Sequence, residues 1–589
     1  VNSHGVNDAV ASCLSMEIIN QLIDEIYDNT FPADALAALT RAIGQARDAL
    51  THPRKAHWDE KDVVLIAYAD QFHQPGIPTL QTFSHFYQQH FQSTFNLVHL
   101  LPFFPYSSDD GFSVIDYHRV SEPCGHWTDV AELHRHTRLM FDFVCNHMSA
   151  HSTWFQHFLS QDPGWQDFFI SINPATDLSA VTRPRTSPLL TPYRMASGET
   201  KYIWTTFSAD QVDLNYATPA VLLKMVGVLL DYLLKGADYV RLDAVGYMWK
   251  TPGTSCIHLQ KTHQLVKLLR AIVNQVAPGT VILTETNVPH DENIRYLGNG
   301  GDEAQMVYQF SLPPLVLHAI HYGKSHALKQ WASSLPTGRG TTSWFNFLAS
   351  HDGIGLNALR GILPESEITS LVCDLLQEGA LVSYKTNPDG TTSPYEINVT
   401  YLDALNKKDD DDETRLRRFM LAHALLLAFP GVPAVYVQSI LGSGNDLAGV
   451  QETGCNRAIN RQKYHPDDIA AELNKASSLR HRIFHQLSQL IQLRTRQSAF
   501  HPDNAMTVLE SDNSVLAIRR QSEQTRQQLL CVYNFSHQDR LYTLPEAEGW
   551  RNVISGEKVA GDWPLTLTPF GWAWLQRCEG EQAGYASLS

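Results

Sequence analysis

Arg241 and Asp243 lie two residues apart in KGADYVRLDAVGY (235–247). Residues 237–242 read as a short buried strand that delivers both to its C-terminal end. On extended backbone, residues two apart leave the same face, so cation and carboxylate emerge together. An arginine beside a carboxylate keeps it ionised at neutral pH. That suits a nucleophile or a charge stabiliser better than a proton donor. Taken alone, a structural ion pair explains the two residues equally well. Other residues join them at predicted strand ends: Glu285 in LTET, Asp352 and His351 in ASHD, and Asn146-His147. One such acid is weak evidence, because acids also cap the helices that follow strands. Three carboxylates and two histidines on one rim exceed what capping needs. Clustered carboxylates repel, so at least one pKa rises, giving a protonated acid beside an ionised base. Glycoside chemistry uses that pair. Asp243, next to Arg241, is expected to be the ionised member. Glu285 has no adjacent cation in sequence and is expected to be the proton donor.

The elements that must position these residues are eight apolar runs: 63–68, 97–101, 140–145, 237–242, 281–284, 306–308, 343–348 and 434–437. Helical sequence separates them, which predicts a (β/α)8 TIM barrel whose C-terminal rim carries the chemistry. The spacing is broken twice. Residues 150–205 are rich in Pro, Ser, Thr and aromatics and contain RPRTSPLLTPYR (183–194); residues 364–415 carry KTNPDGTTSPYEIN (385–398). Long loops on that rim usually serve function. The acidic run 409–413 reads as a solvated helix start, favoured by the helix dipole. Helical periodicity over 17–27 and 34–50 predicts two helices ahead of the barrel. Beyond about residue 500, VLAIRRQ, LLCVYNF, LYTLPE and LTLTPFGWAWLQ predict short strands of a C-terminal all-β domain. The expected division is 1–58 (N-terminal helical extension), 59–149 with 206–490 (catalytic barrel), 150–205 (inserted, loop-rich domain) and 491–589 (C-terminal β domain).

Composition narrows the partners. The chain has 589 residues, 43% apolar and 18% charged, which is ordinary for a globular protein. A net charge of −16 argues against nucleic acid and anionic membranes as partners. The same field disfavours anionic ligands, so any phosphate site must carry its own local cations. The eight cysteines are scattered, with no CxxC pair, and read as reduced thiols of a cytoplasmic protein. The apolar stretch 221–234 is short and carries Lys224 and Asp231, so no membrane span is expected. Met16 opens the first amphipathic stretch, and residues 1–15 are expected to lie ahead of the natural start. No set of oxygen ligands reads as a metal cage, so neither metal nor cofactor is expected.

DFVCNH (142–147), VRLDAV (240–245), TET (284–286) and ASHD (349–352) form an ordered set. It resembles the α-amylase family, glycoside hydrolase family 13. The resemblance implies Asp243 as catalytic nucleophile, Glu285 as general acid/base and Asp352 as transition-state stabiliser, with His147, Arg241 and His351 holding the sugar. Further stretches resemble the sucrose phosphorylase subfamily: LLPFFPYSSDDGFSVIDYH (100–118), RPR (183–185), RLDAVGY, GTSC, LPPLVLHA, SHDGIG, FPGVP and AINR (458–461). By that likeness Asp109, Phe112, Tyr247 and Arg461 also line the glucose pocket. HWDE (57–60), ETNVPH (285–290) and NPDGTTSPYEINVTY (387–401) are similar to the glucosylglycerate phosphorylases within it. The implied reaction is a double displacement: glucosylglycerate and inorganic phosphate give glycerate and α-glucose 1-phosphate through a β-glucosyl-enzyme. Sucrose, sucrose 6-phosphate and glucosylglycerol phosphorylases, and a plain α-glucosidase, are the alternatives. Arg183, Arg185, Arg194 and Lys385 are the candidate cations near the acceptor, Arg194 reading rather as a surface charge. Arginine forks suit phosphate and carboxylate alike. Tyr395 and Glu396 fall in the second long loop, at acceptor-contacting positions of the subfamily. A free Glu396 carboxylate would repel an anionic acceptor, so it is expected either to pair with Lys385 or to bind acceptor hydroxyls. Assembly is left open between a monomer and a homodimer.

Overall fold

The computed structural model describes residues 16–55, 57–336, 340–545, 549–559 and 564–578. Eight parallel strands close a barrel: β1 (Val64–Ala67), β2 (Leu97–Leu100), β3 (Arg138–Phe143), β4 (Tyr239–Leu242), β5 (Val281–Thr284), β6 (Met306–Tyr308), β7 (Ser343–Asn346) and β8 (Val432–Tyr436). Each pairs with its sequence neighbours, and β8 closes on β1. Almost every strand residue is buried on both faces. That is why the runs read as continuous rather than alternating apolar sequence. All eight expected strands are present. The third begins earlier than periodicity suggested, because Arg138 carries its charge outward to Asp62 at 2.5 Å.

Register sets the rim. Asp142 of β3 pairs with Arg241 of β4, and Leu242 pairs with Thr284 of β5. The ladder then runs one step further: the Asp243 amide donates to Phe143 O (3.1 Å) and the Glu285 amide to Leu242 O (3.1 Å). The candidate nucleophile and proton donor are thus adjacent ladder positions beyond the strand ends.

Helices 16–26 and Ala33–Ala49 precede the barrel, the second packing on Pro219–Leu234 and Gln260–Val276. The first interruption contains a hairpin, Leu190–Arg194 with Thr200–Trp204, over a small core of Val181, Leu189, Trp204 and Cys256. The second forms a hairpin, Leu381–Thr386 with Thr392–Asn398, which Ile354–Gly355 ahead of it extends to a three-stranded sheet. The acidic run begins a helix as expected. Asp411 caps Asp412–Ala428, accepting from the Thr414 amide at 2.8 Å. The chain ends in a six-stranded antiparallel sheet with a separate two-stranded ribbon. There the run 565–576, read as one strand, is two: Pro564–Leu567 joins the ribbon and Trp572–Arg577 the large sheet. Phe570, with φ 55°, turns the chain between them. No described helix is long and apolar enough to cross a membrane. Residues 1–15 lie outside the described residues.

Candidate active site

Arg241 is the floor of the site. Its side chain is 1% exposed, and a buried guanidinium is tolerable only if its donors are matched. Nε donates to the Tyr308 hydroxyl (2.9 Å), and Nη1 donates to Asp142 Oδ1 (2.5 Å) and Asp243 Oδ1 (2.8 Å). Nη2 lies 3.8 Å from Glu285 Oε2. Asp142 is braced from behind by His99 Nε2 at 2.6 Å. One cation therefore reaches both candidate catalytic carboxyls from beneath.

Ala244 follows Asp243 with φ 51°, a left-handed conformation uncommon for a residue with a Cβ. The bend points its amide at Glu285, donating to Oε2 at 3.0 Å. Burial raises the pKa of both Asp243 and Glu285, and the Arg241 guanidinium opposes that rise in each. Asp243 has the direct 2.8 Å bond to that guanidinium, whereas Glu285 stands 3.8 Å away. The nearer guanidinium favours the ionised form of Asp243 over that of Glu285. Burial also works against ionisation of Asp352, but Arg457, then Arg241, Arg461 and Arg185, outweigh it and hold Asp352 below the usual carboxylate range. His351 stacks on Phe112 with ring centroids 4.8 Å apart. Burial, reinforced by Arg241 and Arg461, lowers its pKa and keeps it neutral. Burial lowers the His147 pKa too, and because Phe112 O can only accept, Nε2–H donates to it at 3.1 Å.

All the expected site residues except Arg241, Arg461, Lys385 and the further candidate cations Arg183 and Arg194 line one pocket at the rim. Arg461 stands behind the wall, its Nε donating to His351 O (2.8 Å) and Nη1 lying 3.6 Å from Asp109. Gln211 Nε2 holds the other Asp109 oxygen at 3.1 Å. Arg185 lies between two rings, 5.2 Å from the Phe207 centroid and 5.1 Å from that of Tyr395. Thr386 Oγ1 donates to the Arg185 carbonyl at 2.9 Å, and Arg183 bridges Thr386, so the two long segments clasp this arginine.

Glu396 does not pair with Lys385. Arg457 takes it bidentately, Nε to Oε1 at 2.7 Å and Nη2 to Oε2 at 3.1 Å, while Nη1 lies 2.9 Å from Asp352. The amide of Gly353 and the side chain of Asn398 also donate to Glu396. Burial opposes its ionisation, but Arg457 prevails and holds its pKa low. Lys385 lies in an adjoining cavity, and Arg194 is exposed at the end of its hairpin. Arg457, Phe207 and Gln211 line the pocket without having been read from sequence. The signal for Arg457 was its place four residues before Arg461 in CNRAINR.

Lys250 performs a different task beneath the rim. Its ammonium lies 3.0 Å from Asp213 Oδ2, 2.9 Å from Asn146 Oδ1 and 2.5 Å from Tyr247 O. It joins the β3 and β4 ends to the strand Gln211–Asp213, which follows the inserted segment. Among the described residues, no group of three or more His, Cys, Asp or Glu side chains is placed to hold a metal ion.

Residues 92–359 match the α-amylase catalytic domain family, and residues 506–574 match the C-terminal domain family of maltogenic amylase. The glucosylglycerate phosphorylase of Escherichia coli K12 is 58% identical over 558 residues, which cover 95% of this chain and 99% of that protein. The chain belongs to the α-amylase family. Another relative, the glucosylglycerate phosphorylase of Spirochaeta thermophila, is 44% identical over 92% of this chain and 94% of its own. The crystal structure of sucrose 6F-phosphate phosphorylase from Thermoanaerobacter thermosaccharolyticum superposes with a TM-score of 0.70 at 25% identity, covering 83% of this chain and 95% of that one. This member of the α-amylase family is therefore akin, over nearly its whole length, to proteins named as phosphorylases.

Proposed function

We propose that the protein is a retaining α-glucoside phosphorylase that reversibly converts 2-O-α-glucosylglycerate and phosphate into α-glucose 1-phosphate and glycerate. The observation that carries this reading is Arg185. In a chain of net charge −16, a guanidinium that makes no ion pair with any described residue faces the catalytic pocket. An oxyanion acceptor gives it a direct charge-assisted partner, which water does not. Arg457, fixed by Glu396 and Asp352, adds a second guanidinium to the same wall.

Asp243 Oδ1 is held by Arg241, which leaves Oδ2 to attack the anomeric carbon. Glu285 Oε2 is held by the Ala244 amide, which leaves Oε1 to carry the proton. As the glycosidic bond breaks, its electron pair goes to the glycerate oxygen and Glu285 protonates it. Asp243 becomes the ester of a β-glucosyl-enzyme. Phosphate, oriented by Arg185 and Arg457, then attacks the same carbon from the vacated face and restores the α configuration, releasing Asp243. Being anionic already, phosphate needs positioning more than deprotonation. Two displacements at one carbon require carboxyl groups roughly 5–5.5 Å apart. Asp352, kept ionised by Arg457, balances positive charge developing on the sugar ring. Phe112, His147, His351, Asp109, Tyr247 and Arg461 shape the glucose side, and Tyr395 the acceptor side. The described cysteines are free, in keeping with a cytoplasmic setting. The division at 1–58, 59–149 with 206–490, 150–205 and 491–589 belongs to the same reading.

The test is turnover of glucosylglycerate, glucosylglycerol and sucrose with and without phosphate. Glucosylglycerate should lead by at least about tenfold in kcat/KM, the worth of one charge-assisted hydrogen bond. Turnover independent of phosphate would make the enzyme a glucosidase. Parity among the three donors would remove glycerate as its acceptor.

A further inference from the structure

Beside the catalytic pocket lies a second cavity of about 490 Å³, within the size range of small-molecule sites. The two share Tyr247, Val288 and Tyr395 as a common wall. Across that wall runs the clasp in which Arg183 bridges Thr386 and Thr386 holds the Arg185 carbonyl. Arg185 therefore faces the inner pocket, and Lys385, the residue before the clasp, faces the outer one.

The outer cavity is cationic. Arg183, Arg295, Arg360 and Lys385 line it against a single lining carboxylate, Glu292, which lies 3.4 Å from His258 Nε2. Arg183 donates to Ser187 O, and Arg360 is spent on Glu365 at 2.6 Å. The side chains of Lys385 and Arg295 make no ion pair or hydrogen bond with any described residue. Lys385 is half-buried, and its pKa is lowered by burial and then by the like charge of Arg360. Two cations without an ion pair, the half-buried Lys385 and the exposed Arg295, line one cavity in a chain of net charge −16 and can accept an anion supplied from outside.

We propose that this cavity is an outer binding site for a small oxyanion, held by Lys385 and Arg295. It would hold inorganic phosphate or the carboxylate of glycerate next to the catalytic pocket before entry or after release. The inference rests on the reading that the acceptors are oxyanions, and it assigns Lys385 to a step outside the chemistry. It also explains how a strongly negative protein gathers anions at a recessed site.

Calorimetric titration of the full chain tests it, with inorganic phosphate and glycerate in separate arms. Wild-type protein should bind two equivalents of at least one of these ions. Lys385→Ala and Arg295→Ala should each weaken one of the two sites by about tenfold or more and leave the other intact. Arg185→Gln should do the reverse. A second site for phosphate alone, or for glycerate alone, identifies the oxyanion it serves. A single equivalent of both ions in wild type, or a second site unmoved by both outer substitutions, would overturn the proposal. Failure of the proposed reaction is a separate result, because glucoside turnover without phosphate is read from products and not from stoichiometry.

Discussion

Replacing Arg457 by Met tests the pairing on which the acceptor wall depends. Arg457 makes two bonds to Glu396, at 2.7 and 3.1 Å, and lies 2.9 Å from Asp352. The Glu396 side chain is 2% exposed and that of Arg457 15% exposed, so water compensates neither. Removing one partner of a buried pair costs about 3–5 kcal/mol, chiefly from the charge left behind. Glu396 would keep the Gly353 amide and Asn398 as donors, which places the expected loss at the lower end, about 3 kcal/mol. Glu396→Gln with Arg457→Met removes both charges and should recover most of that loss, because exchanging a whole buried pair for neutral residues is often close to neutral. Urea unfolding followed by tryptophan fluorescence, run as a double-mutant cycle, measures the coupling. Kinetics read the other half. Asp352 loses the nearest cation that keeps it ionised, so both variants should turn over poorly whether or not stability returns. A double variant as unstable as Arg457→Met alone, or an Arg457→Met protein with wild-type kcat, would refute the reasoning.

Asp243→Asn should leave less than a tenth of wild-type turnover with the fold intact, by assay and circular dichroism, because Asp243 lines the open pocket and Arg241 keeps Asp142. Glu285→Gln should slow glucosylglycerate far more than glucosyl fluoride, whose leaving group needs little protonation; equal losses would deny Glu285 the proton. Because burial raises the Glu285 pKa, wild-type kcat/KM for glucosylglycerate should fall as pH rises through that raised value, and glucosyl fluoride should lack this limb. Lys250→Met should lower the unfolding midpoint by leaving Asp213 buried without its cation, a cost of about 3–5 kcal/mol; an unchanged midpoint would remove Lys250 as the tie to the strand Gln211–Asp213.

The barrel was legible because each strand is buried on both faces, so each appears as a largely apolar run bounded by helical sequence. Asp243, Glu285 and Asp352 were legible because register carries the residues just beyond each strand end to one rim. The C-terminal break at Phe570 was not, although Pro569 and Gly571 flank it, because the left-handed conformation falls on the phenylalanine and not on the glycine. Nor was the partner of Glu396. Lys385 lies in the same hairpin, but the Ser383/Tyr384 irregularity and the hairpin's facing direct Glu396 inward and Lys385 outward. Arg457 comes from another segment, brought near by the barrel's closure, and no local spacing encodes that distance. Arg185 was legible as a cation of the long loop, but not its seat between Phe207 and Tyr395.

The central claim is a double displacement with phosphate as the final nucleophile. Proton NMR of glucosylglycerate and enzyme in phosphate buffer, followed from the first turnover, tests it most directly. α-Glucose 1-phosphate should be the first sugar formed, with glycerate in equal amount and free glucose far behind. A β-phosphate at first turnover, or free glucose as the main product, would contradict it.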